Sequence, residues 1–113
     1  MINEKKLDNV LLTCGLRDNL LGTDYARRAV RMYRPGMAMT KELYPAIAAA
    51  VGSSGPRVER AIRHAIETGF DRCGYDNEVL TMFGNTIDPS SGKPCNGDFI
   101  ARVARICREG LGE

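Results

Sequence analysis

The chain has 113 residues, enough for one domain with a single modest core but not for two, so we expect one domain over residues 1–113. Hydrophobic residues make up 43% of the chain and charged residues 27%, a composition that excludes intrinsic disorder and the membrane-protein class. The formal net charge of +2 is too small to indicate nucleic-acid binding by itself, so the positions of the charges matter more than their sum.

Helical patterns dominate the sequence. No segment alternates apolar and polar residues over the roughly four to eight positions that a half-buried strand needs. Apolar residues recur instead at helical spacing, and glycine or proline separates the periodic segments. We therefore predict an all-α domain with five or six helices.

The first two helices end at clear stop signals. We predict the first from about Glu4 to Cys14, ended by Gly15, since glycine readily adopts the left-handed conformation that closes many helices. The second runs from about Thr23 to Tyr33 and ends before Pro35. We expect its three arginines to point outward: Arg27, Arg28 and Arg31.

The next two helices lie close together in the sequence. The segment TKELYPAIAAAVG runs from Thr40 to Gly52, and a helix of about residues 54–70 follows, with an N-cap at Ser54. Pro56 falls in the first turn of this fourth helix, where the missing N–H costs little.

Two further helices complete the predicted fold. A short fifth helix lies near Asn77 to Phe83, and a Pro-, Gly- and Ser-rich surface loop covers Asn85 to Gly97. The last helix, about Asp98 to Glu109, presents its arginines Arg102, Arg105 and Arg108 to water. Its opposite face is expected to be buried: Phe99, Ile100, Val103, Ile106 and Cys107.

Several classes of site are not indicated. No apolar run approaches the ~20 residues of a membrane helix, and MINEKKLDNVLL lacks the apolar core of a secretory signal, so we expect a cytoplasmic protein. The four cysteines form no C-x-x-C pair, and the single histidine leaves too few companions for a metal site. We expect free structural cysteines, no metal and no cofactor: Cys14, Cys73, Cys95 and Cys107.

The fourth helix carries an unusual concentration of charge. On a helical wheel of SSGPRVERAIRHAIETGF, one arc is apolar and the opposite arc holds Glu59, Arg60, Arg63, His64 and Glu67, with Arg57 at the border. Taken alone, this arc fits a solvated helix face on which Arg63 pairs with Glu67.

The preceding residues favour a more specific interpretation. Ala48, Gly52 and Val58 have the spacing of a helix-turn-helix: a small residue under the second helix, a glycine in the turn and a branched residue in the interface. Such a motif places its second helix in the DNA major groove. Arginine can donate two hydrogen bonds to guanine, and glutamate can accept one from cytosine, so the mixed charges predict base recognition.

The segment from Thr40 to Arg72, and RVERAIRHAIE in particular, closely resembles the C-terminal DNA-binding effector domain of the sporulation response regulator, the stage zero sporulation protein A family. Further matches are Phe83-Gly84, Lys93-Pro94 and FIARVA, Phe99 to Ala104. The resemblance implies a six-helix bundle containing a helix-turn-helix. It also implies binding of two domains, head to tail, to adjacent DNA boxes that contain a CG step.

Residue roles follow from the same resemblance. It implies base or base-plus-phosphate contacts for Arg57, Glu59, Arg60 and Arg63, and a position near the DNA backbone for His64. It also implies that the segment from about Arg72 to Gly84 contacts the sigma subunit of RNA polymerase. Independently of the family, two lysines at a helix start and in a basic loop are candidate phosphate contacts: Lys41 and Lys93.

The sequence departs from the family in the connection from Tyr33 to Thr40, which is about four residues shorter, in a one-residue insertion around Cys73, and in two further features. No receiver domain of ordinary size fits beside the effector domain in 113 residues, which suggests either an excised domain or a free-standing relative. Gly55-Pro56 replaces the small non-proline residues usual at the start of the fourth helix and removes a phosphate donor there.

Two other classes of function compete with sequence-specific DNA binding. A protein-interaction module that dimerises with a full-length regulator, or contacts RNA polymerase without binding DNA, is the alternative hypothesis, although such a module does not need the arginine array. An enzyme is not indicated, because His64 has no serine or cysteine in a nucleophile arrangement and no phosphate-binding loop is present.

Overall fold

The computed structural model describes residues 2–74 and 76–109, and within them six α-helices pack into one all-α bundle without strands. The helices are α1 (Glu4–Thr13), α2 (Leu21–Met32), α3 (Tyr44–Val51), α4 (Gly55–Cys73), α5 (Asn77–Phe83) and α6 (Asn96–Glu109). The prediction of an all-α, six-helix fold is confirmed. None of the described helices combines the length and the apolarity that a bilayer crossing demands.

Most helix ends lie within a few residues of their predicted positions. Gly15 closes α1 with φ 82°, and α5 has the predicted bounds. Helix α2 starts two residues earlier than predicted, at Leu21, and α4 continues three residues beyond Phe70 to Cys73. The segment leading into α3 is a π-helical turn, Met39–Leu43, with Glu42 accepting a hydrogen bond from the N–H of Ala38 at 2.9 Å.

The core runs between α4 and the helices around it. Helices α2 and α4 form the most extensive pair, while α3 packs on one end of α4 and α6 joins α1, α2 and α4. Three aromatic rings fill the far end of the core, where Phe83 stacks on Phe99 at 5.3 Å and Phe70 meets both edge-on. Phe70 therefore anchors the C-terminal half of α4 in the core.

Helices α2 and α4 approach each other at a glycine. A Cβ atom at Gly22 would lie 1.9 Å from the carbonyl oxygen of Ala61, so only a residue without a side chain fits there. A second close approach joins α4 to the end of α1, where a Cβ atom on Gly69 would lie 2.6 Å from the carbonyl oxygen of Cys14. Glycines thus set the distance of α4 from two neighbouring elements.

Several arginines expected to face water are anchored to other helices. Arg27 of α2 is only 19% exposed and pairs with Asp8 and Asp18. Arg102 donates to the carbonyl of Met82 at 2.7 Å, and Arg108 donates to the carbonyl of Tyr33, so the expectation of a fully solvated stripe on α6 is wrong for both. A long side chain can reach a carbonyl at a neighbouring helix end, which helical periodicity does not reveal.

Helices α2 and α6 also carry one apolar residue and two arginines whose exposure was predicted. Ile106 is half-buried instead of buried, whereas Arg105 and Arg31 are exposed.

The four cysteines are free, as predicted, with Cys14 and Cys107 buried and Cys95 exposed. Burial raises the pKa of the Cys14 thiol to about 12, which keeps it neutral.

The close approach at Gly22 predicts that a glycine-to-alanine substitution, which usually stabilises a helix, destabilises this protein. Alanine normally stabilises a helix by about 1 kcal/mol relative to glycine, but Gly22→Ala must push α2 away from α4. We expect this variant to lower the free energy of unfolding by about 1–3 kcal/mol in urea denaturation. Gly55→Ala is the control, because its Cβ would lie 3.9 Å from the nearest side-chain atom. Equal stability of Gly22→Ala and wild type would contradict the packing.

The ion pair between α1 and α2 predicts a pH effect. Arg31 donates to Glu4 at 2.7 Å, and this hydrogen bond lowers the pKa of the Glu4 carboxyl. A lowered folded-state pKa stabilises the fold above the unfolded pKa, and this contribution disappears as pH falls through the folded value. Since both side chains are about half exposed, Glu4→Gln should cost no more than about 1 kcal/mol near pH 7.

Urea denaturation of Glu4→Gln and wild type at neutral pH and near pH 2 measures this effect. The difference in unfolding free energy between the two proteins should shrink towards zero at the acidic pH. Arg31→Gln provides the control, because Glu4→Gln should have little further effect at neutral pH once its partner has been removed. A difference that persists at low pH would assign the effect of Glu4 to something other than its charge.

Candidate nucleic-acid interface

The turn between α3 and α4 is short and well determined. Gly52 ends α3 with φ 73°, and the N–H of Ser53 donates to the carbonyl of Ala48 at 3.0 Å. Ser54 then caps α4, with its hydroxyl oxygen accepting from the N–H of Arg57 at 3.4 Å. Three residues therefore join the two helices, as the predicted Ser54 cap and Gly52 turn require.

The two helices meet through the small and branched residues that the sequence singled out. Ala48 on α3 is buried, and so is Val58 on α4. The buried positions along α4 follow one arc: Val58, Ile62, Ala65, Ile66, Gly69 and Phe70. The predicted apolar face is confirmed, and it fixes which side of α4 remains open.

The open side of α4 carries what we call the arginine face: Arg57, Glu59, Arg60, Arg63 and His64. Glu59 is half-buried and the other four residues are exposed. Among the described residues, the side chains of Arg57, Arg60 and His64 have no ion-pair or hydrogen-bond partner. The structure thus brings the five predicted residues together on one surface, while their contacts with DNA stay predictions.

One ion pair lies within the arginine face, and it differs from the predicted one. Arg63 bonds to Glu59 at 3.0 Å, whereas the sequence suggested Glu67 as its partner. The difference has a physical reason, because a glutamate four residues before a cation is better oriented along a helix than one four residues after it. Arg63 is half exposed in this pair, so its guanidinium remains accessible to a ligand.

The two lysines suggested as phosphate contacts have different surroundings. Lys41 is exposed in the π-helical turn before α3. Lys93 is only 25% exposed, and its ammonium group pairs with Asp71 of α4 at 2.9 Å. Their role towards phosphates stays a prediction, with Lys93 already engaged by a carboxylate.

A cavity of about 770 Å³ opens beside the arginine face, between α4, the start of α3 and the loop before α6. Glu59 and Arg63 border it from α4, and Tyr44, Cys95 and Asn96 border it from the other side. No group of three His, Cys, Asp or Glu side chains within residues 2–74 and 76–109 is arranged to hold a metal ion. The polar side chains that line this cavity can therefore act as hydrogen-bond donors and acceptors.

Sequence reasoning missed one residue at this surface. Asn96, the first residue of α6, is buried and donates its side-chain amide to the main-chain carbonyl of Glu59 at 3.0 Å. The two residues lie 37 positions apart, and Asn96 was assigned to the loop before the last helix. Its only sequence signal is its place at the start of α6, since asparagine is common at helix starts.

Comparison with known families agrees with this geometry. The family model described as "Sporulation initiation factor Spo0A C terminal" matches residues 7–106, which includes the whole of α2 to α5 and most of α1 and α6. The match extends well before Thr40, where the motif resemblance weakens. The chain therefore belongs to this family, the DNA-binding effector domains of sporulation response regulators.

Proposed function

We propose that this chain is a sequence-specific, double-stranded DNA-binding regulator of transcription that inserts α4 into the major groove. The arginine face carries the proposal, because it places three arginines and a glutamate on the N-terminal half of a capped helix. Helix α3, the turn at Gly52 and α4 act together as a helix-turn-helix. Membership of a DNA-binding effector family supports this function.

Base recognition follows from the chemistry of the side chains. Arginine donates two parallel hydrogen bonds to O6 and N7 of guanine, and a carboxylate accepts from N4 of cytosine. Glu59 and Arg63 already lie 3.0 Å apart, so together they match the acceptor and donor pattern of a CG step. Arg57 and Arg60 contribute base or base-plus-phosphate contacts from the same half of the helix.

Phosphate contacts position α4 in the groove but carry no sequence information. His64 lies on the arginine face towards the C-terminal half of α4, and we assign it a position near the DNA backbone. Lys41 provides a second phosphate contact from the turn before α3. Lys93 provides a third, weaker phosphate contact, because its ammonium group already pairs with Asp71, which offsets its charge.

The wider assembly follows the family. Two copies bind head to tail on tandem CG-containing boxes and associate with each other on DNA. The segment from Arg72 to Gly84 contacts the sigma subunit of RNA polymerase, and Leu80, 42% exposed on α5, is a suitable apolar anchor. Acting on the bacterial chromosome places the protein in the cytoplasm. None of these roles is enzymatic.

A DNA titration tests the function. Fluorescence anisotropy would follow the purified chain on a duplex with two tandem CG-containing boxes and on a scrambled duplex, each at two salt concentrations. Phosphate-dominated binding weakens steeply with salt on any sequence, whereas base recognition leaves an affinity difference that survives added salt. We expect such a difference. Equal affinities at both salt concentrations would contradict the proposed function.

Arg60→Ala gives a residue-level test in the same assay. The change should cost about 1–3 kcal/mol of binding free energy on the cognate duplex and much less on the scrambled one. Lys5→Ala on α1 is a matched control, since it also removes one exposed cation but lies on another helix. Equal losses on both duplexes would assign Arg60 to phosphate instead of bases.

One observation favours the alternative, a protein-interaction module that does not bind DNA itself. Large apolar side chains outside the arginine face are exposed, namely Leu12 at 73% and Leu21 at 62%. Pro56 also removes one backbone donor from the start of α4. Retention of protein partners after replacement of the arginines, together with equal affinity for both duplexes, would support this alternative.

A further inference from the structure

Asn96 holds a buried polar position behind the arginine face. It is 8% exposed, and its amide nitrogen donates to the main-chain carbonyl oxygen of Glu59 at 3.0 Å. Buried amides are costly unless they are hydrogen-bonded, so this bond constrains both partners. It ties the first residue of α6 directly to the backbone of α4.

The start of α3 lies close to this contact. Tyr44, the first residue of α3, is buried and lines the same cavity as Glu59 and Asn96. Asn96 therefore lies where α6 meets α4, beside the start of α3 and at the edge of the cavity next to the arginine face. Two of these helices, α3 and α4, are the pair to which we assign DNA binding.

The Glu59 carbonyl that accepts this hydrogen bond lies in the segment of α4 that carries the arginine face. Glu59 is in the first half of the helix, and its carboxylate pairs with Arg63 one turn later. A helical carbonyl already accepts the N–H four residues further on, so Asn96 adds a second donor and is not needed to form the helix. Its amide instead restrains where this part of α4 lies relative to the start of α6.

We propose that Asn96 is a positioning residue of the DNA interface, whose amide holds the Glu59 and Arg63 segment of α4 in register with the bases. This inference rests on the proposed function. Base hydrogen bonds need exact placement, whereas phosphate attraction tolerates small shifts. Loss of the amide thus reduces discrimination between cognate and scrambled DNA more than it reduces binding in general.

Two substitutions distinguish the hydrogen bonding of the Asn96 amide from the volume of its side chain. Asn96→Asp keeps the size of the side chain but replaces the donor NH₂ with an acceptor, and aspartate is favoured in the first turn of a helix. Asn96→Ala removes the group altogether. Cys107→Ala is the control for stability, because Cys107 is buried in the same helix near Lys6 and Glu4 of α1.

The readout is the ratio of the dissociation constants for the scrambled and cognate duplexes, measured at a temperature where circular dichroism shows every variant folded. We expect both Asn96 variants to lower this ratio by about threefold to tenfold, the equilibrium factor of one hydrogen bond. The ratio for Cys107→Ala should equal that of wild type. The salt dependence of binding should be the same in wild type, Asn96→Ala and Cys107→Ala, because the phosphate contacts remain. Asn96→Asp is compared only through its affinity ratio, because its added carboxylate weakens binding to both duplexes.

Amide hydrogen exchange of the free proteins tests the positioning independently of DNA. Exchange across residues 57–63 should be faster in Asn96→Asp than in Cys107→Ala. Unchanged exchange, an unchanged affinity ratio, or an equal fall of the ratio in Cys107→Ala would each overturn the inference while leaving the proposed function intact. Absence of any affinity difference for wild type would instead overturn the proposed function, and the inference with it.

Discussion

The close approach of α2 to α4 at Gly22 is the constraint on which the rest of this structure depends. No side chain separates Gly22 from the main chain of Ala61, so the backbones of α2 and α4 are in close contact there. Gly69 provides a similar approach to the end of α1, about 12 Å further along the helix. With α4 held at two points on its apolar side, the arginine face must point away from the bundle.

The two halves of α4 are consequently stabilised in different ways. The C-terminal half is anchored by aromatic packing, with Phe70 in contact with the rings of Phe83 and Phe99. The N-terminal half packs against α2 at Ala61 and against α3, and there two polar contacts are added: the Ser54 cap and the Asn96 amide. The exposed side of this N-terminal half carries the arginine face.

The sequence alone was sufficient to predict the structure wherever the signal came from residues close together in the chain. Helical spacing identified the buried arc of α4, and the Ser54 cap and Gly52 turn depend on residues within a few positions of each other. What it missed depends on partners far apart in the chain. The close contact of Gly22 with Ala61 and the bond of Arg108 to the carbonyl of Tyr33 both join residues that are remote in sequence, so helical periodicity predicts neither.

The candidate interface shows the same division. Periodicity placed Glu59, Arg60, Arg63 and His64 on one arc with Arg57 at its border, and it also suggested that Arg63 would be paired along the helix. The choice of Glu59 over Glu67 depends on the direction of the helix, a weaker effect of a few tenths of a kcal/mol. Asn96 has no periodic signal, since a single amide bonded to a distant carbonyl leaves no pattern in the sequence.

Under the proposed function, the Glu59–Arg63 pair makes a modest net charge compatible with DNA recognition. Within this pair the glutamate offsets the charge of Arg63, so a general attraction of α4 for phosphates would rest on Arg57 and Arg60. A surface that binds only phosphates gains nothing from such an acid. If α4 reads a CG step as we propose, Glu59 would accept from the cytosine amino group and Arg63 would donate to the guanine, and two base contacts would replace one internal ion pair. On other sequences Glu59 would face carbonyl or ring-nitrogen acceptors, so the acid would add discrimination against the wrong DNA.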